Sequence, residues 1–168
     1  MEWATKVRQR LTDINIQESL RVAARDTIAE MGPRIFDRGQ LPDGGSIGNY
    51  STEPIYINKN QMVQKGGGRE TRGGKTKFFQ GGYKAYKQSL GRGNVFDMRN
   101  FGVMMRDFLT AKEVYVGKSI ALEFKQERNK DIVASDKRMQ AAFGLSRVER
   151  ENFEKVFNFE LSLRLFRP

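Results

Sequence analysis

Apolar residues in this chain follow helical spacing near both ends and strand spacing in between. Trp3, Val7 and Leu11 repeat every four residues, which predicts a short N-terminal helix with one docking side. A longer stripe follows through Ile16, Leu20, Ala23, Ala24, Ile28 and Met31. Asn15 suits its N-cap and Gly32-Pro33 its stop, with Arg34 to Gly39 adding a short helical turn. Asn94 offers another cap with Asp97 three residues on, and Met98, Phe101, Met105, Phe108 and Leu109 line one side of a helix ending near Thr110.

Glu113 to Phe124 alternates on both sides of Gly117-Lys118 and predicts an antiparallel hairpin. Val114 and Val116 share a side of its first strand, and Ile120, Leu122 and Phe124 share a side of its second. Lys130 to Gly144 returns to helical spacing through Ile132, Val133, Met139, Ala142 and Phe143, with Gly144 as the stop. Ser146 and Glu149 then form a capping-box pattern, and Phe153, Phe157, Leu161 and Leu165 recur every four residues. Residues 157–166 also alternate as a strand would, but the cap and the Glu, Lys and Leu content favour a helix.

Between these parts the pattern thins. Only Ile55 to Ile57 has strand character, and Pro54 makes it an edge or an entry. Thirteen of the seventeen glycines lie between Gly39 and Gly93, so ordering this stretch is entropically costly and few apolar groups are present to offset it. The expectation is one domain, residues 1–168, in which a long, basic, Gly-rich loop of about residues 40–94 divides an N-terminal helical part from a helix, hairpin and helix part. That loop is expected to be mobile in the isolated chain.

Charge sharpens that picture. Of a formal net charge of +10, a surplus of eight sits between Lys59 and Arg92, where nine basic residues face the single acid Glu70. The remainder of the chain is close to neutral, so the insert is where an acidic partner would be met.

The sequence has no His and no Cys. That removes the commonest general base, the usual transition-metal ligands, a thiol nucleophile and disulfides. Asp97 and Asp107 lie ten positions apart and Asp131 and Asp136 five apart, neither a compact metal or acid/base pair, so no cofactor, metal or catalytic residue is nominated. Met98, Met104 and Met105 read as core packing. No apolar run approaches the ~18 residues a membrane helix needs.

Gly66 to Thr76 approximates a phosphate loop, since Gly74, Lys75 and Thr76 are correctly placed. Arg69 stands where the motif requires a Gly, and neither a preceding apolar strand nor a helix beginning at the Lys is predicted. Nucleic acid is a stronger contender, because cations alternate with Phe78, Phe79, Tyr83 and Tyr86, although no zinc spacing or ribonucleoprotein signature accompanies them. A basic loop lying on an acidic protein surface accounts for the same residues.

In order and spacing, most of the chain resembles the virion-morphogenesis family of tailed phages, the small neck and tail-completion proteins. The resemblance lies in Arg34-Ile-Phe-Asp-Arg-Gly39, Ile47 to Ile55, the basic Gly-rich stretch, Gly81-Gly-Tyr-Lys84, and a helix from Asp97 to Phe108 followed by a hairpin. Phe101, Gly102 and Val103 stand where members often have a hydroxyl residue, a Gly and an acid, so only Gly102 fits. The resemblance implies an α+β fold, with helices packed on a small antiparallel β-sheet, and a structural, non-enzymatic virion protein, made in the host cytoplasm and placed at the neck or tail. It also implies a homo-oligomeric six-fold ring contacting adjacent neck, portal-adaptor or tail-tube proteins, with non-specific contact to genomic DNA in the lumen and no membrane. Lys65, Arg69, Arg72, Lys75, Lys77 and Lys84 would then meet the acidic partner, while Phe78, Phe79 and Tyr83 anchor the loop.

Overall fold

The computed structural model describes Thr5 and residues 16–64, 66–92, 95–98, 102–117 and 119–166. The expected helix at Trp3 to Leu11, its neighbour Asn15, the cap Asn94, and Phe101, Lys118 and Lys65 lie outside the described residues. The fold is α+β: six described helices accompany a three-stranded antiparallel sheet and a two-stranded hairpin.

Helix α1 (Ile16–Phe36) is the spine, burying Leu20, Ala23, Ala24, Ile28 and Met31 as its spacing predicts. It continues beyond Gly32-Pro33 to Phe36. A proline inside a helix forfeits a hydrogen bond. Here Ile35 and Phe36 are fully buried, and each such burial is worth about 1.5–3 kcal/mol, enough to carry the helix on. Gly32 is needed for a different reason: a Cβ there would stand 3.2 Å from Leu109 Cδ2, so glycine allows the helix bearing Leu109 to approach.

After α1 the chain runs through a turn at Leu41 to Gly45 into the insert, which holds β1 (Ile55–Asn58), a 3-10 turn (Lys59–Gln61), β2 (Arg69–Glu70), β3 (Thr76–Phe79) and α2 (Gly82–Ser89). Helix α3 (Val103–Leu109) follows, shorter than expected at its start. Asp97 does not cap it; its carboxylate is drawn into a buried site with Tyr50 and Lys87, so residues 95–98 run without regular structure.

Strands β4 (Lys112–Val116) and β5 (Ser119–Glu123) form the expected hairpin, with Tyr115 opposite Ile120 and Val114 opposite Ala121. Residues directly opposite share a face. Ile120 and Leu122 therefore point the same way as Tyr115 and Glu113, while Val114 and Val116 lie on the other side.

The helix expected over Lys130 to Gly144 is two: α4 (Glu127–Ser135) and α5 (Lys137–Ala142). Asp136 breaks them, because its extended backbone and its carboxylate, accepting from Arg138 N at 2.8 Å, make it the N-cap of the second. The first is capped from outside: Asp107 accepts from Lys125 N at 2.9 Å, Gln126 N at 3.1 Å and Asn129 Nδ2 at 2.7 Å. Burial alone would raise this carboxyl's pKa, but those three donors outweigh it and hold the group below its ordinary value.

Helix α6 (Arg147–Phe166) settles residues 157–166 as helix. Its capping box is reciprocal, with Ser146 N donating to Glu149 Oε2 at 2.8 Å and Glu149 N donating to Ser146 Oγ at 3.2 Å. It lies antiparallel along α1: Asn152 Nδ2 donates to Glu30 Oε1 at 2.8 Å, and Arg164 lies 4.0 Å from Glu18.

Two cores result. The larger collects Ile28, Ile35, Phe36, Met104 and Phe108, with Phe124 and Phe143 packed against it, and its rings sit 5.1–6.1 Å apart. The smaller gathers Ile57, Met62, Phe79 and Tyr86 inside the insert. Expected as a mobile loop, the insert instead has its own core and sheet. The four buried residues of that core are scattered in sequence, and the pairing of β1 with β3 brings Ile57 and Phe79 together.

Candidate functional site

The insert is a basic three-stranded sheet backed by α2. Strand order is β1-β3-β2, all antiparallel, with Tyr56 opposite Phe78 and Phe78 opposite Arg69. Alternation along each strand sends Ile57 and Phe79 to the buried face and leaves Tyr56, Phe78 and Arg69 as a row across the other. Tyr56 is 68% exposed, its ring centroid 4.9 Å from that of Phe78, and the Arg69 guanidinium lies 5.5 Å from the Phe78 centroid.

The remaining named residues divide by role. Arg72 and Lys75 are exposed at the turn joining β2 to β3. Thr71 closes that turn, its N–H donating to Thr76 O at 3.2 Å and its hydroxyl 2.8 Å from Thr76 Oγ1. Thus Gly73, Gly74 and Lys75 form a hairpin tip and no helix begins at Lys75, so the amides and dipole of a phosphate loop are not assembled. Lys77 is half-buried, its Nζ donating to Gly67 O at 3.0 Å. Lys84 is half-buried on α2, with its backbone N–H donating to Ser51 O at 3.0 Å.

Phe79 and Tyr83 face inward, edge-on to Tyr86 and Tyr50 respectively, at 5.4 and 5.3 Å. Burial first, then Tyr86 and Asp97, push the Tyr83 phenol up to about 12. Gly82 allows this return of the chain: with φ +67°, a Cβ would sit 2.5 Å from the carbonyl oxygens of Ser51 and Glu53.

A buried clamp ties the insert to the body. Lys87 Nζ, on α2, donates to Asp97 Oδ1 at 2.8 Å, and Tyr50 OH donates to the same oxygen at 2.5 Å. Asp97 N returns a bond to Tyr50 OH at 3.2 Å, and the ammonium lies 5.0 Å from the Tyr50 ring centroid. The Lys87 side chain is 1% exposed, so its charge is sustained by these partners rather than by water. Sequence reasoning missed the clamp, since Lys87 counted as one more basic residue of the loop and Asp97 as a cap. It also missed Tyr56 as a surface residue, because the cross-strand register alone sets it beside Phe78.

Among the described residues, Arg69, Arg72, Lys75 and Lys84 make no ion pair with a carboxylate. Glu70, the one acid between Lys59 and Arg92, pairs with Lys59. Where insert meets body, two neighbouring clefts of 390 and 490 Å³ share Tyr83, Met98, Met104 and Ile132. A third, of 670 Å³ and lined by Ile28, Phe108, Leu122, Phe124 and Phe143, opens beside α1. Among the described residues no group of three or more acidic side chains is arranged to hold a metal, and no helix is long and apolar enough to cross a membrane.

Comparison with family models, curated proteins and solved structures finds no match to this chain.

Proposed function

We propose that this protein is an assembly subunit of a tailed-phage neck, forming a homo-oligomeric ring that completes the tail and joins it to the head-portal complex. The observation that supports this reading best is the outer side of α6. Phe159, Leu163 and Phe166 follow at i, i+4 and i+7 with exposures of 62, 40 and 77%, on the side turned away from α1. A helix that already packs one apolar side on its own chain and presents a second has a surface suited to another subunit. In a ring, that surface meets a different patch of the next copy, and closure of the rotation limits the assembly. The resemblance in chain order to the neck and tail-completion family points the same way.

The full chain is expected to run as a ring of defined copy number in native mass spectrometry. Phe159→Glu with Leu163→Glu should convert it to monomers while the melting temperature stays within a few degrees, because neither side chain is buried. A wild-type chain that stays monomeric at tens of micromolar would overturn the ring reading.

A second reading, non-specific contact with nucleic acid, is favoured by one observation: Arg69, Arg72 and Lys75, which pair with no carboxylate among the described residues, flank the exposed Tyr56 ring and the half-buried Phe78 ring on one sheet. The two readings are compatible, since a neck ring encloses the path of the genome.

A further inference from the structure

We propose that the open face of the insert sheet is a stacking site for unpaired nucleobases, so that the insert takes single-stranded nucleic acid in preference to duplex. This rests on the nucleic-acid reading above and adds the form of the ligand. Tyr56, Phe78 and Arg69 form one row across β1, β3 and β2, with 4.9 Å between the two rings and 5.5 Å from guanidinium to ring. Both aromatic rings and a guanidinium plane offer flat surfaces on which a base can stack, whatever its identity.

The surroundings supply charge complementarity. Arg72 and Lys75 stand at the hairpin tip that joins the two strands holding Phe78 and Arg69, where a phosphate backbone crossing the row would pass. Glu70 is opposite Lys77 and therefore on the other face from Phe78, and it is paired with Lys59, so its charge does not oppose a polyanion on the row. A depression of 330 Å³ bordered by Gly68, Arg69, Phe78 and Ser89 opens at the β2 end of the row. A duplex offers phosphates to the cations but keeps its base faces stacked within itself, away from Tyr56. An unpaired strand satisfies both features at once.

Fluorescence anisotropy of the full chain with a labelled oligodeoxythymidine strand, a duplex of equal length and heparin tests this, starting from about 50 mM salt. The strand should bind tightest. Tyr56→Ala should weaken strand binding about tenfold and leave duplex and heparin unchanged, as expected for loss of one stacked base. Because Tyr56 is 68% exposed, the variant should melt with the wild type, which separates a lost contact from a lost fold. Arg72→Ala with Lys75→Ala should weaken all three ligands and flatten the salt dependence by about 1 to 2 in logarithmic slope. If duplex and heparin bind as well as the strand and Tyr56→Ala is silent, stacking is refuted while polyanion binding stands. Absence of binding to every probe refutes both.

Discussion

Arg34→Ala is expected to cost about 3–5 kcal/mol of folding stability, the scale for removing one partner of a buried ion pair. Arg34 stands in the last turn of α1 and is held there by four side-chain hydrogen bonds. Its Nε donates to Glu149 Oε1 at 2.7 Å, Nη1 to the carbonyls of Gln40 and Ala142 at 2.8 and 3.1 Å, and Nη2 to Gly144 O at 2.8 Å. With one side chain the end of α1, the turn after it, the end of α5 and the start of α6 are joined. Alanine leaves three carbonyls and a carboxylate without that donor, and Lys cannot restore the planar fork.

Glu149→Gln separates charge from shape. The amide can still serve the capping box, but Arg34 is left buried with no counter-charge. Burial alone would raise the Glu149 pKa; Arg34 and the Ser146 bonds outweigh it and hold it below the ordinary 4.5. A depressed carboxylate contributes stability above its unfolded value and loses it as pH falls through the folded one. Wild-type stability should therefore start to drop below pH 4.5, together with the contribution of Asp107, whose pKa lies below the ordinary 3.8. Glu149→Gln should be less stable at neutral pH and show a shallower acid decline. Chemical denaturation across pH checks both, and equal slopes for the two proteins would contradict the assignment.

The second large effect concerns the clamp. Lys87→Met should cost about 3–5 kcal/mol by leaving the Asp97 carboxylate in a buried site without its ammonium. Pairing it with Asp97→Leu should recover most of that loss, since no charge then remains to be solvated. Hydrogen exchange adds location: amides of β1, β3 and α2 should lose protection in the single variant, because Lys87 joins α2 to the segment around Asp97. A single variant within 0.5 kcal/mol of wild type would show that the clamp does not hold the insert. Tyr50 gives a signature at the alkaline end. Burial first, and the Asp97 hydrogen bond second, push its phenol well above the ordinary 10.0. Above pH 10 the unfolded chain releases this proton while the folded chain keeps it, so stability should fall there, and less steeply in Tyr50→Phe.

Where periodicity was strong, the chain was legible: α1, the β4–β5 hairpin and α6 with its capping box follow from spacing and caps that act within a few residues. Boundaries failed wherever a distant side chain intervened. Asp97 left its expected cap for Tyr50 and Lys87, Asp136 cut one helix into two, and α1 ran past Pro33 because Ile35 and Phe36 had a core to enter. The insert was misjudged more deeply. Glycine content and sparse apolar residues argue for a loop, yet four of those residues converge once β1 pairs with β3.

The row on that sheet shows the division most clearly. The sequence alone determined that the insert is basic, that it contains aromatics, and that His and Cys chemistry is excluded, because these are properties of residues wherever they lie. Which aromatics face outward was decided by tertiary structure. Phe78 and Phe79 are adjacent and chemically identical, but the pleat turns one to the surface beside Tyr56 and the other into the core against Tyr86. The difference is one of strand register and of the packing that fixes it, which neighbouring residues in sequence cannot specify by themselves.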